Sequence, residues 1–564
     1  MKMNNIIKGA AVLLAGAVAM TGCIKETFPE GGYALPEQIQ DSPFAADGMV
    51  ASIPTALVTN YLGVGEHFDY GYPGIFGALD HLAGDMIPVT QNMPGGNQYY
   101  DRFQMFMYHE TTALSAASGW STFFWSNYYQ FIKATNDVIG TAGDSEFMKE
   151  ARGIAKTFRA LYYLDLARMY DPLPAKSELT NYESEVQKVQ GLTVPLVTES
   201  STLEELKNNP RLPREEMFAF ILADLDDAEE CLDGFYPDSK NLPSIAVVYG
   251  MKARTYLWLG GYTESYADVP TGNDAYKLAA EYARKAINAS GAQMLTQAQY
   301  LDKTNGFNSA SSPSWMWAMM QSSSTMLNNL LSWSAHMCLD GLWGYGRLAQ
   351  FGILNSIYDR MQPTDWRRLS FVAPGATYED YAAYTNQSRA DWYDLNGEFG
   401  VEVAPYANMK FKPGQGETQD YNVGNITDVP MMRVEEMYLI EAEALAHYDT
   451  GSAASAIKTF MAARGVASYN PPSGSDALVE EIVFQKRIEL WGEGQIVYDL
   501  KRLNYGMHNG DPGNNAPSGA KFTTDGRAPW WNLTIPLSAV QQNLALENGE
   551  KNNPDPSKSY KSRE

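Results

Sequence analysis

The sequence is poor in the residues that build disulfides and metal centres. Its 564 residues include three cysteines and six histidines. Cys23, Cys231 and Cys338 are too isolated for a disulfide framework or a zinc site, so we expect the last two to be buried thiols. Residues 394–397 carry part of a calcium-loop pattern, but Val403 stands where the bidentate glutamate belongs. We therefore predict no cofactor and no metal.

Catalytic motifs are also absent. The sequence has no H-E-x-x-H, G-x-S-x-G, P-loop or complete G-x-G-x-x-G pattern. Carboxylate pairs for glycoside hydrolysis stay open, because 66 acidic residues offer many pairs whose separation the sequence does not show. We predict a protein that is not an enzyme, with a surface glycosidase or peptidase as the alternative.

Positive charge is scarce as well. Lysine and arginine total 42 against 66 aspartates and glutamates, for a net charge of -24. Without a basic face to release counterions, nucleic acid is excluded as a partner. The acidic run from Asp224 to Glu230 is predicted to be a solvated helix face.

One apolar run stands out near the N-terminus. Lys2 and Lys8 precede Ala10–Met20, which is too short to span a bilayer and has the length of a signal-peptide core. It ends in small residues before Cys23, a pattern that looks like a lipobox. We expect acylation of Cys23 to anchor the protein, at roughly 0.8 kcal/mol for each buried CH2.

The domain organisation follows from these features. No long low-complexity linker divides the chain after the N-terminal segment. We predict a lipoprotein signal peptide (1–22), a lipid-anchored tether (23–47), one α-rich domain (48–547) and a flexible tail (548–564).

Helical periodicity is strongest between Phe147 and Pro174. Apolar residues recur there at steps of three and four, and the second half is apolar nearly all round, which predicts a helix buried between others. Asp165 and Arg168 stand three apart and are expected to pair. Asp171-Pro172 should end the helix.

Further helical segments have the small–large alternation of tetratricopeptide-like pairs. We predict a mostly α scaffold of such pairs, with large irregular loop insertions and little β structure. The segments are Glu215–Leu232, Ser244–Gly261, Ala275–Ser290, Met432–His447 and Ser452–Arg464.

Three stretches together resemble one known family. FMKEARGIAKTFRALYYLDLARMYDPLP (147–174) resembles the signature helix of the SusD/RagB family, EIVFQKRIELWGEGQIVYDLKRL (481–503) resembles a second signature, and Ile535-Pro536 followed by NLALEN resembles the closing segment. Lys486 stands where the family usually has glutamate, which implies an altered ion pair.

The resemblance implies a function and a location. Members of this family are surface-exposed outer-membrane lipoproteins of Bacteroidota that capture nutrients, mostly glycans. The implied function is to bind an oligosaccharide and deliver it to a SusC-like TonB-dependent transporter. Ile24-Lys25-Glu26 resembles the tag that exports such lipoproteins to the outer face. Peptide capture, as in RagB-like relatives, is the alternative within the binding class.

Aromatic residues in glycine-rich, non-periodic stretches are the candidate ligand contacts. These stretches are Tyr61–Tyr108, Trp315–Phe351 and Tyr378–Phe411. A flat ring can stack on the apolar face of a sugar while neighbouring polar groups bond its hydroxyls. The predicted ligand-binding residues are Asp69, Tyr70, Tyr72, Asn97, Tyr99, Tyr100, Trp333, Trp343, Tyr345 and Arg347.

Overall fold

Helices dominate the computed structural model of the chain. The structure describes residues 43–90, 114–177, 179–323, 330–517, 521–549 and 551–556. Within these ranges strands occur only as three short pairs, so the predicted mostly α fold is confirmed. The predicted sites at Cys23, Asn97, Tyr99 and Tyr100 lie outside the described residues.

The longer helices form the scaffold. They are α1 (Pro43–Leu57), α2 (Tyr72–Ala83), α3 (Gly119–Ala142), α4 (Lys149–Tyr170), α5 (Tyr182–Val189), α6 (Arg214–Cys231), α7 (Ile245–Gly260), α8 (Gly272–Ser290), α9 (Val434–Ala446), α10 (Thr450–Ala463), α11 (Ser475–Glu489) and α12 (Ile496–Leu503). Shorter helices lie at Leu203–Leu206, Gln297–Tyr300, Trp333–Met337, Tyr345–Leu348, Asn355–Arg360, Tyr378–Tyr381, Arg389–Trp392, Tyr421–Gly424 and Leu537–Gln542. Single 3-10 turns occur at Trp366–Ser370, Gly414–Gly416, Pro529–Trp531 and Leu544–Gly549.

The scaffold helices pack as a row in which most neighbours in sequence are neighbours in space. Helix α3 packs on α4, α4 on α6, α6 on α7, α7 on α8 and α8 on α9, while α9 carries both α10 and α11. Small residues permit this closeness: Ala275, Ala279, Ala283 and Ala286 of α8 are all buried. The predicted helix pairs therefore form one continuous scaffold.

Helix α4 is buried along most of its length, as its apolar sequence predicts. The Asp165 carboxylate in its interior accepts hydrogen bonds from Tyr72 Oη (2.6 Å) and Tyr128 Oη (2.8 Å), and Arg168 pairs with it as expected. Three donors compensate for the burial of this charge. The helix ends at Tyr170, because Asp171 before Pro172 is extended (ψ 109°).

Three antiparallel strand pairs fasten the irregular segments to this scaffold. Strand β1 (Met86–Pro88) pairs with β5 (Phe351–Ile353), β2 (Leu192–Pro195) with β3 (Arg211–Pro213), and β4 (Trp315–Met319) with β6 (Val429–Arg433). The first pair places Met86 opposite Ile353 and Pro88 opposite Phe351. It thereby joins the middle of the stretch Tyr61–Tyr108 to the end of the stretch Trp315–Phe351.

The acidic run on α6 is not uniformly solvated, contrary to the prediction. Asp226 and Glu230 are exposed, but Asp224 is only 3% exposed and makes a two-pronged bond to Arg159 of α4. Arg159 Nε lies 2.7 Å from Asp224 Oδ2 and Nη2 lies 2.9 Å from Oδ1. The sequence hides this pair because its two residues come from different helices.

Part of the predicted flexible tail is ordered. Asn553 is buried, and its amide donates to the carbonyl oxygens of Tyr170 (2.8 Å) and Leu533 (2.7 Å). Asn552 exchanges two hydrogen bonds with the backbone of Ile535. The Asn553 amide therefore satisfies a backbone carbonyl at the end of α4.

A buried ion cluster joins the scaffold to residues 291–433, the irregular insertion between α8 and α9. Glu489 at the end of α11 contacts Arg464 (2.9 Å), Arg367 (3.1 Å) and Arg433 (3.3 Å). Arg433 and Lys410 also contact Glu493, at 2.8 Å and 2.6 Å. Arg367 and Lys410 belong to the insertion, so the insertion is held by charges that water cannot screen.

The turn between α11 and α12 completes this junction. Gly492 and Gly494 adopt positive φ values of 81° and 70°. A side chain at Gly494 would meet Phe76 of α2 at 2.7 Å, and one at Gly492 would meet Phe411 at 2.5 Å. Glycine is therefore required for backbone conformation and for space.

No helix in the described ranges combines the length and the apolar character needed to cross a bilayer.

We expect Glu489→Gln to lower the free energy of unfolding by about 3–5 kcal/mol, because it leaves buried arginine charge uncompensated. Urea denaturation measures the change. The matched control is Asp137→Asn, which removes the exposed Lys133–Asp137 pair and should cost less than about 1 kcal/mol. Equal effects of the two substitutions would contradict a structural role for the cluster.

We also expect a pH dependence from Glu443 of α9. Burial alone would raise the pKa of this carboxyl, but the charges of Arg502 and Lys486 outweigh burial and hold the pKa at about 2, below its ordinary 4.5. Because the folded pKa is depressed, this contribution to stability is complete above about pH 5 and is lost as the pH falls towards 2.

The Glu443→Gln variant isolates this group. It should be less stable than the native chain at pH 7 and should lose less stability between pH 5 and pH 2. Exposed Glu216→Gln is the control and should leave the pH profile unchanged. Parallel profiles for native protein and Glu443→Gln would refute the assignment.

Candidate ligand-binding surface

The first component of the candidate site is a tight loop after α1 that is held by one carboxylate. Asp69 Oδ2 accepts hydrogen bonds from the N–H groups of Gly63 (2.7 Å) and Val64 (2.6 Å), and the Asp69 carbonyl accepts from Tyr61 N–H (2.9 Å). Burial raises the pKa of the Asp69 carboxyl, while these bonds oppose the rise. Asp69 therefore fixes the loop.

This loop displays Tyr61 to solvent. The Tyr61 side chain is 45% exposed and its backbone has φ 59°, a left-handed conformation that is uncommon for a tyrosine. Strain of this kind persists only where the surroundings impose it, and here the hydrogen bonds to Asp69 do so. The result is a projecting ring on a fixed backbone.

A cluster of four rings joins this loop to the second aromatic stretch. His67 Nδ1 lies 2.6 Å from Tyr345 Oη, and the Tyr345 ring lies 5.0 Å from His336. The Tyr70 ring packs against the same histidine, His336, with the ring centroids 4.7 Å apart. The structure therefore brings together Tyr70 and Tyr345, two of the predicted site residues.

Trp343 forms the next part of the surface. Its indole is half-buried, and its Nε1–H donates to Asn425 Oδ1 (2.8 Å), an oxygen that also accepts from Ser332 Oγ (2.8 Å). The ring lies directly against Gly424, where a Cβ would come within 2.1 Å of Trp343 Cη2. Tyr421, three residues before that glycine, is 42% exposed.

We call residues 61–70, 332–347 and 421–425 the aromatic loop surface. The contacts His67–Tyr345 and Trp343–Asn425 connect its three segments. Tyr61, Trp343 and Tyr421 present ring area to solvent, and Glu66 and Asn422 add exposed polar groups. Rings beside polar side chains can bind a ligand that is apolar on its faces and polar at its edges.

Most of the other predicted residues are buried. Trp333 packs edge-on against Phe411, with ring centroids 5.0 Å apart. Tyr72 points into the helical core, where its hydroxyl donates to Asp165. Asp69, Tyr70 and Tyr345 are buried at the base of the aromatic loop surface. Ligand contact by these residues stays a prediction, and in this structure they support the loops.

Arg347 is buried and fastens the third aromatic stretch. Its Nη2 group donates to the carbonyl oxygens of Asp391 (2.5 Å) and Val401 (2.9 Å). Burial lowers the pKa of Arg347 to about 10, so the guanidinium remains charged at neutral pH. The two bonds tie the loop 391–401 to Arg347, which belongs to the stretch Trp315–Phe351.

The sequence analysis did not select Tyr61, His67, Tyr421 or Asn425. Tyr61 is the first residue of the predicted stretch Tyr61–Tyr108, so the sequence indicated its region but not its exposure to solvent. Tyr421 and Asn425 lie beyond Phe411, in a single helical turn capped by Asp420. A four-residue helix has no periodicity that a sequence could reveal.

The fold and the surface define a helical scaffold protein with an inserted aromatic surface. Residues 278–554 match the sequence profile of the SusD family. The matched segment belongs to this family. No curated protein matches the chain.

Solved structures extend the likeness beyond that segment. A SusD-like carbohydrate binding protein from Bacteroides vulgatus is 20% identical, with a TM-score of 0.63 over 90% of this chain and 97% of its own. SusD superfamily proteins from Bacteroides thetaiotaomicron (15% identity, TM-score 0.62, 90% and 99% coverage) and Bacteroides fragilis (18%, 0.61, 90% and 99%) are similar. At these identities the likeness establishes the fold.

We expect Asp69→Asn to loosen the loop without unfolding the protein, because the amide keeps one acceptor oxygen but loses the charge that strengthens both N–H bonds. Hydrogen exchange of the Gly63 and Val64 amides should accelerate at least several-fold. The exposed Glu66→Gln, in the same loop, is the control. Unchanged exchange in Asp69→Asn would show that the carboxylate does not hold the loop.

Proposed function

We propose that this SusD-family protein is a non-catalytic carbohydrate-binding protein of the cell surface. It captures an oligosaccharide and delivers it to a SusC-like TonB-dependent outer-membrane transporter. The observation that carries the proposal is the aromatic loop surface, where Tyr61, Trp343 and Tyr421 present ring area beside polar groups on a rigid scaffold. The carbohydrate binding named for the Bacteroides vulgatus structure supports the same ligand class.

The chemistry of such a surface suits a sugar. The C–H groups on one face of a pyranose pack on a flat ring, and its hydroxyls exchange hydrogen bonds with side chains such as that of Asn422. A shallow surface gives binding of about millimolar to micromolar strength. Binding in this range permits release to a transporter after capture.

Two buried carboxylates of the aromatic loop surface support a binding role over a hydrolytic one. Asp69 is occupied by the N–H groups of its own loop. Asp340 is buried and accepts from Thr385 (2.8 Å), Gln387 (3.0 Å) and Lys412 (3.1 Å). Both carboxylates hold backbone segments in place, so the structure gives them a positioning task.

The proposed location follows from the N-terminal sequence. Signal peptidase would remove residues 1–22, acyl chains on Cys23 would insert in the outer membrane, and the tether would lead to α1, which begins at Pro43. A Cys23→Ala variant should lose incorporation of radiolabelled palmitate and should no longer sediment with membranes. Retained membrane association would refute the lipid anchor.

The binding proposal is tested with cello-, malto-, xylo-, manno- and chito-oligosaccharides by isothermal titration calorimetry. At least one hexasaccharide should bind. Tyr61→Ala and Tyr421→Ala should each weaken it about tenfold, equivalent to ~1.4 kcal/mol, because each removes a stacking ring. Both rings are exposed, so thermal stability should change little.

The matched control is Tyr236→Ala, which removes a 60% exposed tyrosine outside the aromatic loop surface. It should bind like the native chain. Binding of peptides in place of all the sugars would favour peptide capture. Chromatography after prolonged incubation with the bound sugar separates binding from catalysis, since shortened products would overturn the non-catalytic assignment.

A further inference from the structure

A concave surface, separate from the aromatic loop surface, lies beside the short helix Gln297–Tyr300. It is a groove of about 590 Å³, bounded on one side by residues 297–304 and on the other by Ala383 and Tyr384. We call it the Lys303 groove. Its volume falls within the range of about 300–1,000 Å³ that is typical of small-molecule sites. Leu301 and the half-buried Tyr384 ring supply its apolar lining.

The walls of the Lys303 groove are held by hydrogen bonds on both sides. Asn386 Nδ2 donates to the carbonyl oxygens of Lys303 (3.1 Å) and Gly416 (3.0 Å), which ties the two walls together. Asp302 Oδ1 accepts from the N–H groups of Thr304 (2.8 Å) and Asn305 (2.9 Å). The groove is therefore formed before any ligand arrives, which lowers the entropic cost of binding.

A buried lysine holds the second wall of the groove, which Ala383 and Tyr384 form. Lys412 is buried, and its ammonium donates to the carbonyl oxygen of Tyr384 (2.6 Å) while it contacts Asp340 (3.1 Å). Tyr384 is thus anchored through its backbone. Its ring and hydroxyl belong to the groove.

Several polar groups of the residues that line this groove have no partner within the described ranges. Among the described residues, Lys303 Nζ, Asp302 Oδ2, the Gln297 amide and the Tyr384 hydroxyl make no hydrogen bond or ion pair. They offer donors and acceptors of both charge signs around one aromatic ring. That combination matches a ring-shaped polyol, whose faces are apolar and whose edges carry hydroxyls.

The segment 416–425 runs from the groove to the aromatic loop surface. Gly416 bonds to Asn386 at the groove, and the Thr418 carbonyl accepts from Leu342 N–H (3.0 Å), next to Trp343. Tyr421 follows Gly416 by five positions along the chain, a span of at most about 18 Å. An oligosaccharide of several units can cover both places.

We infer that the Lys303 groove is a second saccharide subsite, which takes a sugar unit distant from the one stacked on Trp343 and Tyr421. The inference rests on the proposed carbohydrate binding. In this arrangement, Tyr384 stacks on the sugar face, and Lys303 and Asp302 bond its hydroxyls. Two subsites on one rigid body make binding increase with ligand length, because the second contact is intramolecular.

The test compares hexasaccharides with the corresponding disaccharides of the five series named above, by isothermal titration calorimetry. In the native chain, the hexasaccharide that binds should bind at least tenfold more tightly than its disaccharide. Lys303→Ala and Tyr384→Ala should each reduce that ratio about threefold to tenfold. Lys303 is exposed and unpaired within the described chain, so its removal does not threaten the fold.

Tyr384→Phe is the control for misfolding of the Tyr384→Ala variant. It keeps the ring and should retain most of the length advantage, the tighter binding of the hexasaccharide than of its disaccharide. Tyr236→Ala is the surface control. A length advantage that survives both Lys303→Ala and Tyr384→Ala overturns the second subsite and leaves the proposed function standing. Failure of every hexasaccharide to bind the native chain overturns both together.

Discussion

The rest of the structure depends on the buried Glu489 carboxylate and the three arginines around it. Arg464 follows α10, whereas Arg367 and Arg433 both belong to the insertion, so the Glu489 carboxylate joins the insertion to the scaffold helices α10 and α11. An unpaired charge in this position would be very costly, so each group requires the others. The cluster therefore fixes how the irregular insertion sits on the helical scaffold.

With the insertion fixed by this cluster, the helical scaffold and the inserted segments contribute to the structure in different ways. The helical row supplies burial and close packing, while the inserted segments carry the exposed rings of the aromatic loop surface. Many aromatic residues of those segments point inward instead: Trp333 packs on Phe411, and Trp392 stacks on Tyr381 with centroids 5.8 Å apart. The inward rings hold the loops to the scaffold, and this support fixes the positions of the outward rings, to which we assign the proposed binding.

Sequence reasoning was most accurate where the chain is periodic. The helix through Asp165, its end before Pro172 and its Asp165–Arg168 pair follow from local spacing, and each is present. Lys486 contacts Glu443 (2.5 Å) and Asp499 (3.0 Å), and an ion pair altered relative to the family stays a prediction. Reasoning was less accurate where partners are distant, as for Asp224 with Arg159 and for Asn553 with the carbonyl of Tyr170.

By itself the sequence determined the helical class, the resemblance to one family and two of the three segments of the aromatic loop surface. Periodicity, composition and local motifs act over a few residues and can be seen in the order of the letters. Only the tertiary structure decided which rings face solvent, because the exposure of Tyr61 and the burial of Trp333 depend on contacts with segments far along the chain. Composition alone could not distinguish the two, since both are large rings in glycine-rich sequence.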